Sequence, residues 1–183
     1  VMNTDNMLVS GETIDYGPCA FMDEYNPSIY FSSIDKHGRY SYKNQPAIMI
    51  WNLSKLAEAF IPLVDKNKEK AVIELSEVLN LAMPTYQEYF YIEMSKKFGL
   101  KNVDQEVMNL VNNYLKILMD NSVDFVLSFR DLGKLLSDNK KIDDTVFKNV
   151  KNFNNWYFEF LNLLSLKKLT KLKVSKTMDS YNP

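Results

Sequence analysis

Asp104-Gln105-Glu106-Val107-Met108-Asn109-Leu110-Val111-Asn112-Asn113-Tyr114-Leu115-Lys116-Ile117-Leu118 reads as a helix together with its start signal. Val107, Leu110, Val111, Tyr114 and Leu118 recur at three- and four-residue steps, so a 3.6-residue helix gathers them on one face. Asp104 precedes them where a carboxylate can accept an orphan N–H of the first turn. The same texture extends both ways. Upstream, Tyr86, Phe90, Met94 and Phe98 repeat every four residues, and Gly99 stops that helix. Downstream, Ser122 is placed to cap a helix with Val126, Phe129, Leu132 and Leu136 inward. Asp143 or Asp144 is placed to cap a last long pattern through Val146, Val150, Phe153, Tyr157, Phe160 and Leu164. Further upstream, Met49, Leu53, Leu56, Ala57 and Phe60 share a face that Pro62 ends or kinks, and a second helix is expected over 69–81. Residues 47–183 are therefore read as a helical bundle, almost without Gly.

Residues 1–46 differ. They hold three of the five Gly and three of the six Pro in a quarter of the chain. Met7-Leu8-Val9-Ser10 and Thr13-Ile14-Asp15-Tyr16 are β-prone runs around Gly11-Glu12, the pattern of a two-residue hairpin loop. Gly17-Pro18 breaks the second run. Residues 19–46 carry Asn26-Pro27, Ser32-Ser33, His37-Gly38 and Gln45-Pro46, so an irregular loop is expected there. The fold class expected is α+β but mainly α: a single helical lobe over 1–183, with a catalytic loop and hairpin at 1–18.

Composition bounds what the chain can do. Twenty-two Lys+Arg against 23 Asp+Glu give net −1, which supplies no global pull toward nucleic acid. Hydrophobic residues at 46% exclude a disordered chain. One Cys excludes a disulfide scaffold and a Cys-based zinc cluster. No apolar run near the roughly 20 residues of a membrane helix is expected. The opening residues lack the basic-then-apolar pattern of a signal peptide. No nucleic-acid or membrane partner is expected, and a reducing, intracellular compartment is.

The hairpin would bring Asp5, Asn6 and Asp15 together. Two carboxylates and a carboxamide are hard oxygen ligands. Mg²⁺ takes one or two such groups from protein and leaves positions for water and phosphate, and a further carboxylate can take a proton from a hydroxyl nucleophile. Kinase-like phosphoryl transfer uses these parts. Asn and Asp also favour turns for purely local reasons. The residues alone leave both readings open, with a non-catalytic helical scaffold as the alternative.

Val1-Met2-Asn3-Thr4-Asp5-Asn6-Met7 and Gly11-Glu12-Thr13-Ile14-Asp15-Tyr16-Gly17-Pro18 closely resemble the SelO/YdiU family (selenoprotein O, a protein adenylyltransferase). Ser33-Ile34-Asp35-Lys36-His37-Gly38-Arg39-Tyr40, Asn44-Gln45-Pro46, Trp51-Asn52-Leu53 and Leu56-Ala57 look like the same family. Weaker similarity continues through 125–130 and 153–157, and Tyr181-Asn182-Pro183 resembles the start of a later motif. The resemblance implies a helical C-terminal lobe of a protein-kinase-like fold that transfers AMP, not the γ-phosphate, from ATP to Ser, Thr or Tyr hydroxyls of proteins. It implies Asp5 as proton acceptor, Asn6 and Asp15 as ligands of Mg²⁺ (or Mn²⁺), and Asp15 beside the nucleotide. It also implies an internal fragment whose N-terminal nucleotide-binding lobe is missing, hence weak or no activity alone. The expected location is the bacterial cytoplasm, or the mitochondrion in a eukaryote. Ordinary γ-phosphoryl transfer is the rival reaction.

Four further features carry two readings each. His37, the single His, is either a base or an ordinary hydrogen-bonding residue. Arg39 is either an accessory phosphate ligand or a structural ion-pair partner of Asp35 or Asp23. Cys19 is a redox switch or an ordinary thiol. Lys167, Lys168, Lys171, Lys173 and Lys176 touch acidic lipid or nucleic acid, or form a solvated face.

Overall fold

The computed structural model describes residues 1–12, 21–137 and 140–182. Among them are seven α-helices: α1 (Gln45–Val64), α2 (Lys68–Asn80), α3 (Ala82–Lys97), α4 (Gln105–Asp120), α5 (Phe125–Leu136), α6 (Phe153–Leu166) and α7 (Lys171–Tyr181). The chain forms two compact units, one of Val1–Phe21 with Pro27–Glu88 and one of Met22–Asn26 with Tyr89–Pro183, and the division falls inside α3.

The mainly α class fits, but the expected β-hairpin is a correction. No strand occurs among the described residues, where the β pairing seen is an isolated antiparallel bridge between Glu24 and Asp124. The first arm, Met7-Leu8-Val9-Ser10, leaves a 3₁₀ turn at Thr4–Asn6 and then closes a turn of its own, with Gly11 N donating to Leu8 O at 3.0 Å. Gly11 takes its φ of +76° as the last residue of that turn, not as the first of a two-residue loop. The physical reason is burial. Val9 is 85% exposed, so this stretch has no surface to lie on, and a lone two-stranded ribbon is marginal in water. The second arm, 13–16, lies outside the described residues.

In the first unit, Pro46 sits in the first turn of α1, where a missing N–H costs nothing. Pro62 falls in the last turn, and the helix runs on to Val64 before Asp65 turns extended. Asn67 caps α2 by accepting Glu69 N and Lys70 N at 2.9 and 3.2 Å. The Asp65 carboxyl, bonded to Lys70 and to Asn67 N, is held below the usual carboxylate range, the lysine being the larger cause. α1 packs on α2, burying Ala71 completely. The two helices nevertheless leave Leu63, Ile73, Val78 and Leu81 exposed. An apolar groove of about 580 Å³ runs along Leu53, Leu56, Phe60, Leu75, Val78 and Tyr86. The expectation that no run approaches membrane-helix length is also corrected. Tyr42–Val64 forms a 23-residue helical stretch that holds an 18-residue window of mean hydropathy 1.4, long and apolar enough to cross a membrane by length and composition alone.

The second unit is built around aromatic rings. Phe98 meets Tyr114, Phe129, Trp156 and Phe160 at centroid distances of 5.0–5.9 Å. All five are at most 2% exposed, and each such burial stabilises the unit by roughly 1.5–3 kcal/mol. The Trp156 indole finds its partner in Leu110 O at 2.9 Å. Asp104 caps α4 as expected, accepting Val107 N at 2.9 Å. α5 is capped by Asp124, not Ser122. Asp124 accepts Leu127 N at 2.7 Å, because Val123 O and Phe125 N are committed to Tyr25 N and Asp23 O. The long pattern expected from Asp143 breaks at Asn149 and Asn152, both at positive φ, so α6 begins only at Phe153. Thr170 caps α7, whose Lys171, Lys173 and Lys176 are exposed, while Lys167 pairs with Asp104.

Candidate active site

The first unit carries a cleft of about 900 Å³ lined by Val1, Asn3, Asp5 and Asn6 and by residues of the 31–40 loop. The 3₁₀ turn at Thr4–Asn6 makes the first wall. Asn6 N donates to Asn3 O at 3.0 Å, which closes the turn and sets Asp5 and Asn6 side by side. Asn6 Nδ2 donates to Val1 O at 2.9 Å and to Asn3 Oδ1 at 3.0 Å. Both donors are thereby used within the turn, so the carboxamide oxygen is the atom a hard cation would meet. The Asn3 amide donates to Asp5 Oδ1 and orients that carboxylate.

The second wall is a loop organised by Asp35. Its two oxygens accept Arg39 N and Tyr40 N, each at 2.9 Å. Asp35 therefore holds the main chain of Arg39 and not its guanidinium. The guanidinium lies over the rings of Trp51 and Tyr40, 5.0 and 5.6 Å from their centroids. Arg39 makes no ion pair among the described residues. Its planar charge thus rests on two rings with no carboxylate partner among the described residues, which leaves guanidinium N–H groups available to an anion. Lys36 and His37 line the same wall, both exposed.

Of the expected site residues, Asp5, Asn6 and Arg39 share this cleft. Asp15 and Cys19 lie outside the described residues, so the meeting of Asp5 with Asp15 does too. No three His, Cys, Asp or Glu side chains converge on a metal position among the described residues. The Asp5 carboxylate and the Asn6 carboxamide oxygen are nonetheless the hard donors Mg²⁺ accepts, and Mg²⁺ needs few of them when phosphate oxygens complete its shell. Sequence reasoning missed Asp35, Gln45 and Asn52 as builders of the site. Two carboxamides seven positions apart on a mainly apolar helix, clear of its exposed Lys55–Glu58 pair, were the available signal for the last two.

Comparison with known proteins matches residues 1–183 to the family described as protein adenylyltransferase SelO. The chain belongs to this family. Relatives named protein nucleotidyltransferase YdiU include those of Maridesulfovibrio salexigens, 40% identical over 183 residues, and Rhizobium etli, 42% identical over 185. The one from Clostridium botulinum is 41% identical over 183. Each match covers 100% of this chain but only 36–37% of the relative. The family name carries nucleotidyl transfer as the general class of activity. This chain thus spans a little over a third of the length of those SelO-family relatives.

Proposed function

We propose that this chain carries the acid–base and metal-binding part of a protein adenylyltransferase. A Ser, Thr or Tyr hydroxyl of a protein substrate attacks the α-phosphorus of Mg²⁺-ATP, the bond to the β-phosphate oxygen breaks, and pyrophosphate leaves. Asp5 takes the hydroxyl proton. Asn6, with Asp15, holds the cation that neutralises phosphate charge. Arg39 meets a phosphate of the nucleotide. The observation that supports this reading is the SelO-family match over the whole chain, together with one cleft whose lining includes Asp5, Asn6 and Arg39. A positioned general base of this kind is worth about 10²–10⁴ in rate, and the rest is orientation and electrostatics.

The test uses a polypeptide of the relatives' length, ATP labelled at either the α- or the γ-phosphate, and a protein acceptor. Label from the α position alone should reach the acceptor, and Asp5→Asn should lower kcat by about 10²-fold or more. Transfer of the γ label alone would replace AMP transfer with ordinary phosphoryl transfer. No transfer with either label, with unchanged Mg²⁺-ATP affinity in Asp15→Ala, would favour a non-catalytic scaffold.

A further inference from the structure

Gln45 and Asn52 stand seven positions apart on α1, so two turns return them to nearly one face. Gln45 Oε1 accepts the Met2 N–H at 2.7 Å, and Asn52 Nδ2 donates to the Met2 carbonyl at 2.7 Å. Both main-chain groups of one residue are thus taken by side chains of one helix. Each carboxamide also reaches further. Asn52 Nδ2 approaches the Met7 sulfur at 2.8 Å, so it touches both ends of the segment that holds Asp5 and Asn6. Gln45 Nε2 donates to Tyr40 O at 2.6 Å and to Ser41 O at 3.2 Å, which ties the loop of Arg39 to that segment through one side chain.

Packing does not explain Asn52. It is 6% exposed in the middle of an apolar helix, and its Oδ1 has no hydrogen-bond partner among the described residues. An orphaned buried acceptor costs stability, and a leucine would suit that place better. The whole polar return of this side chain runs through Nδ2 to residues 2 and 7. The two walls of the cleft are otherwise short turns, which fix little by themselves.

We propose that Gln45 and Asn52 are positioning residues for the nucleotidyl-transfer site. Their clamp on Met2 sets where Asp5 and Asn6 stand relative to Arg39. The role in transfer rests on the reading under Proposed function, whereas the clamp itself does not. A displacement of about 1 Å in a reacting group can lower turnover by about 10²-fold.

Asn52→Leu and Gln45→Glu test it in two assays. In the 183-residue chain, amide hydrogen exchange is followed peptide by peptide. Asn52→Leu should speed exchange over residues 2–7 by about tenfold, leave α4 to α6 unchanged, and leave the thermal midpoint equal or higher. Gln45→Glu keeps the acceptor for Met2 N but sets a carboxylate against Tyr40 O, so it should speed exchange over residues 39–41 instead. In a polypeptide of the relatives' length, Asn52→Leu should lower kcat about tenfold or more while KM for ATP stays within about threefold. Unchanged exchange over 2–7 in Asn52→Leu overturns the clamp. Faster exchange with an unchanged kcat, or a rise in KM alone, overturns the positioning role. A wild-type polypeptide with no nucleotidyl transfer ends the functional reading, and the exchange result then decides the clamp alone.

Discussion

Gly99 follows α3 at φ +68°, and a Cβ built there would stand 2.7 Å from Val174 O and 2.9 Å from Val174 Cγ1. The first atom is main chain of α7, so relief requires α7 to move, not a side chain to rotate. Gly99→Ala therefore combines a left-handed backbone, about 1 kcal/mol for a residue with a Cβ, with overpacking of about 1–3 kcal/mol. The expected loss is about 2–4 kcal/mol, a large share of the roughly 5–15 kcal/mol that holds a domain together. Gly133 supplies the control. It lies within α5 at ordinary helical φ, and a Cβ there would meet Asp179 Oδ1 at 3.6 Å and Met178 Cβ at 3.7 Å, both comfortable contacts. Gly133→Ala should be neutral or stabilise by up to about 1 kcal/mol through helix propensity. Urea unfolding followed by Trp156 fluorescence in a Trp51→Phe background isolates the second unit, because Trp156 is buried there. With a slope of about 2 kcal/mol/M, Gly99→Ala should lower the midpoint by about 1–2 M. A Gly99→Ala midpoint within experimental error of wild type, or equal shifts for the two variants, would refute the close-approach reasoning.

Asp131 is buried at 7% exposure and accepts Lys140 Nζ at 2.9 Å and Val146 N at 3.1 Å; Asp131→Ala strands both donors and should cost about 2 kcal/mol in the same urea assay. The Asp104 carboxyl is held below its usual range of 3.8, first by Lys167 and then by the Val107 N–H. A depressed carboxyl stabilises the fold above its unfolded value and ceases to do so as pH falls through the lower folded value. Melting between pH 5 and 2.5 should therefore show a loss in wild type that Asp104→Asn reduces, by under about 1 kcal/mol because the pair is partly solvated and screened. The open groove beside α1 and α2 should take up a hydrophobic reporter dye in the 183-residue chain, and Leu56→Gln, in its lining, should lower dye fluorescence without moving the Trp156 transition.

The helices of the second unit were legible because burial there is one-sided and local. Val107, Leu110, Val111, Tyr114 and Leu118 are all buried, and Asp104 caps where the spacing puts it. The misreadings share a cause. Ser122 lost the cap to Asp124 because a distant segment, Met22–Asn26, occupies the main chain around Val123. No window of sequence contains that partner. The hairpin failed for the complementary reason: Met7-Leu8-Val9-Ser10 has strand propensity, but β-propensity expresses fit to a half-buried surface, and Val9 meets none.

In the cleft, residue type revealed the groups suited to chemistry and concealed those that hold them. Asp5 and Asn6 stand out because carboxylate and carboxamide beside each other suit a cation and a proton. Asp35 looked like a charge partner for Arg39, yet it spends both oxygens on backbone N–H groups of its own loop. That frees the guanidinium to stack on Trp51. A turn-forming Asp and an ion-pairing Asp are identical in sequence, and only the path of the chain separates them. Gln45 and Asn52 carry a signal in the sequence itself. α1 is apolar enough to pass for a membrane segment, and in such a helix a buried carboxamide needs a reason. Asn52 and, two turns away, the half-buried Gln45 both bond the main chain of Met2, which makes that reason geometric: the pair anchors the segment on which Asp5 and Asn6 stand.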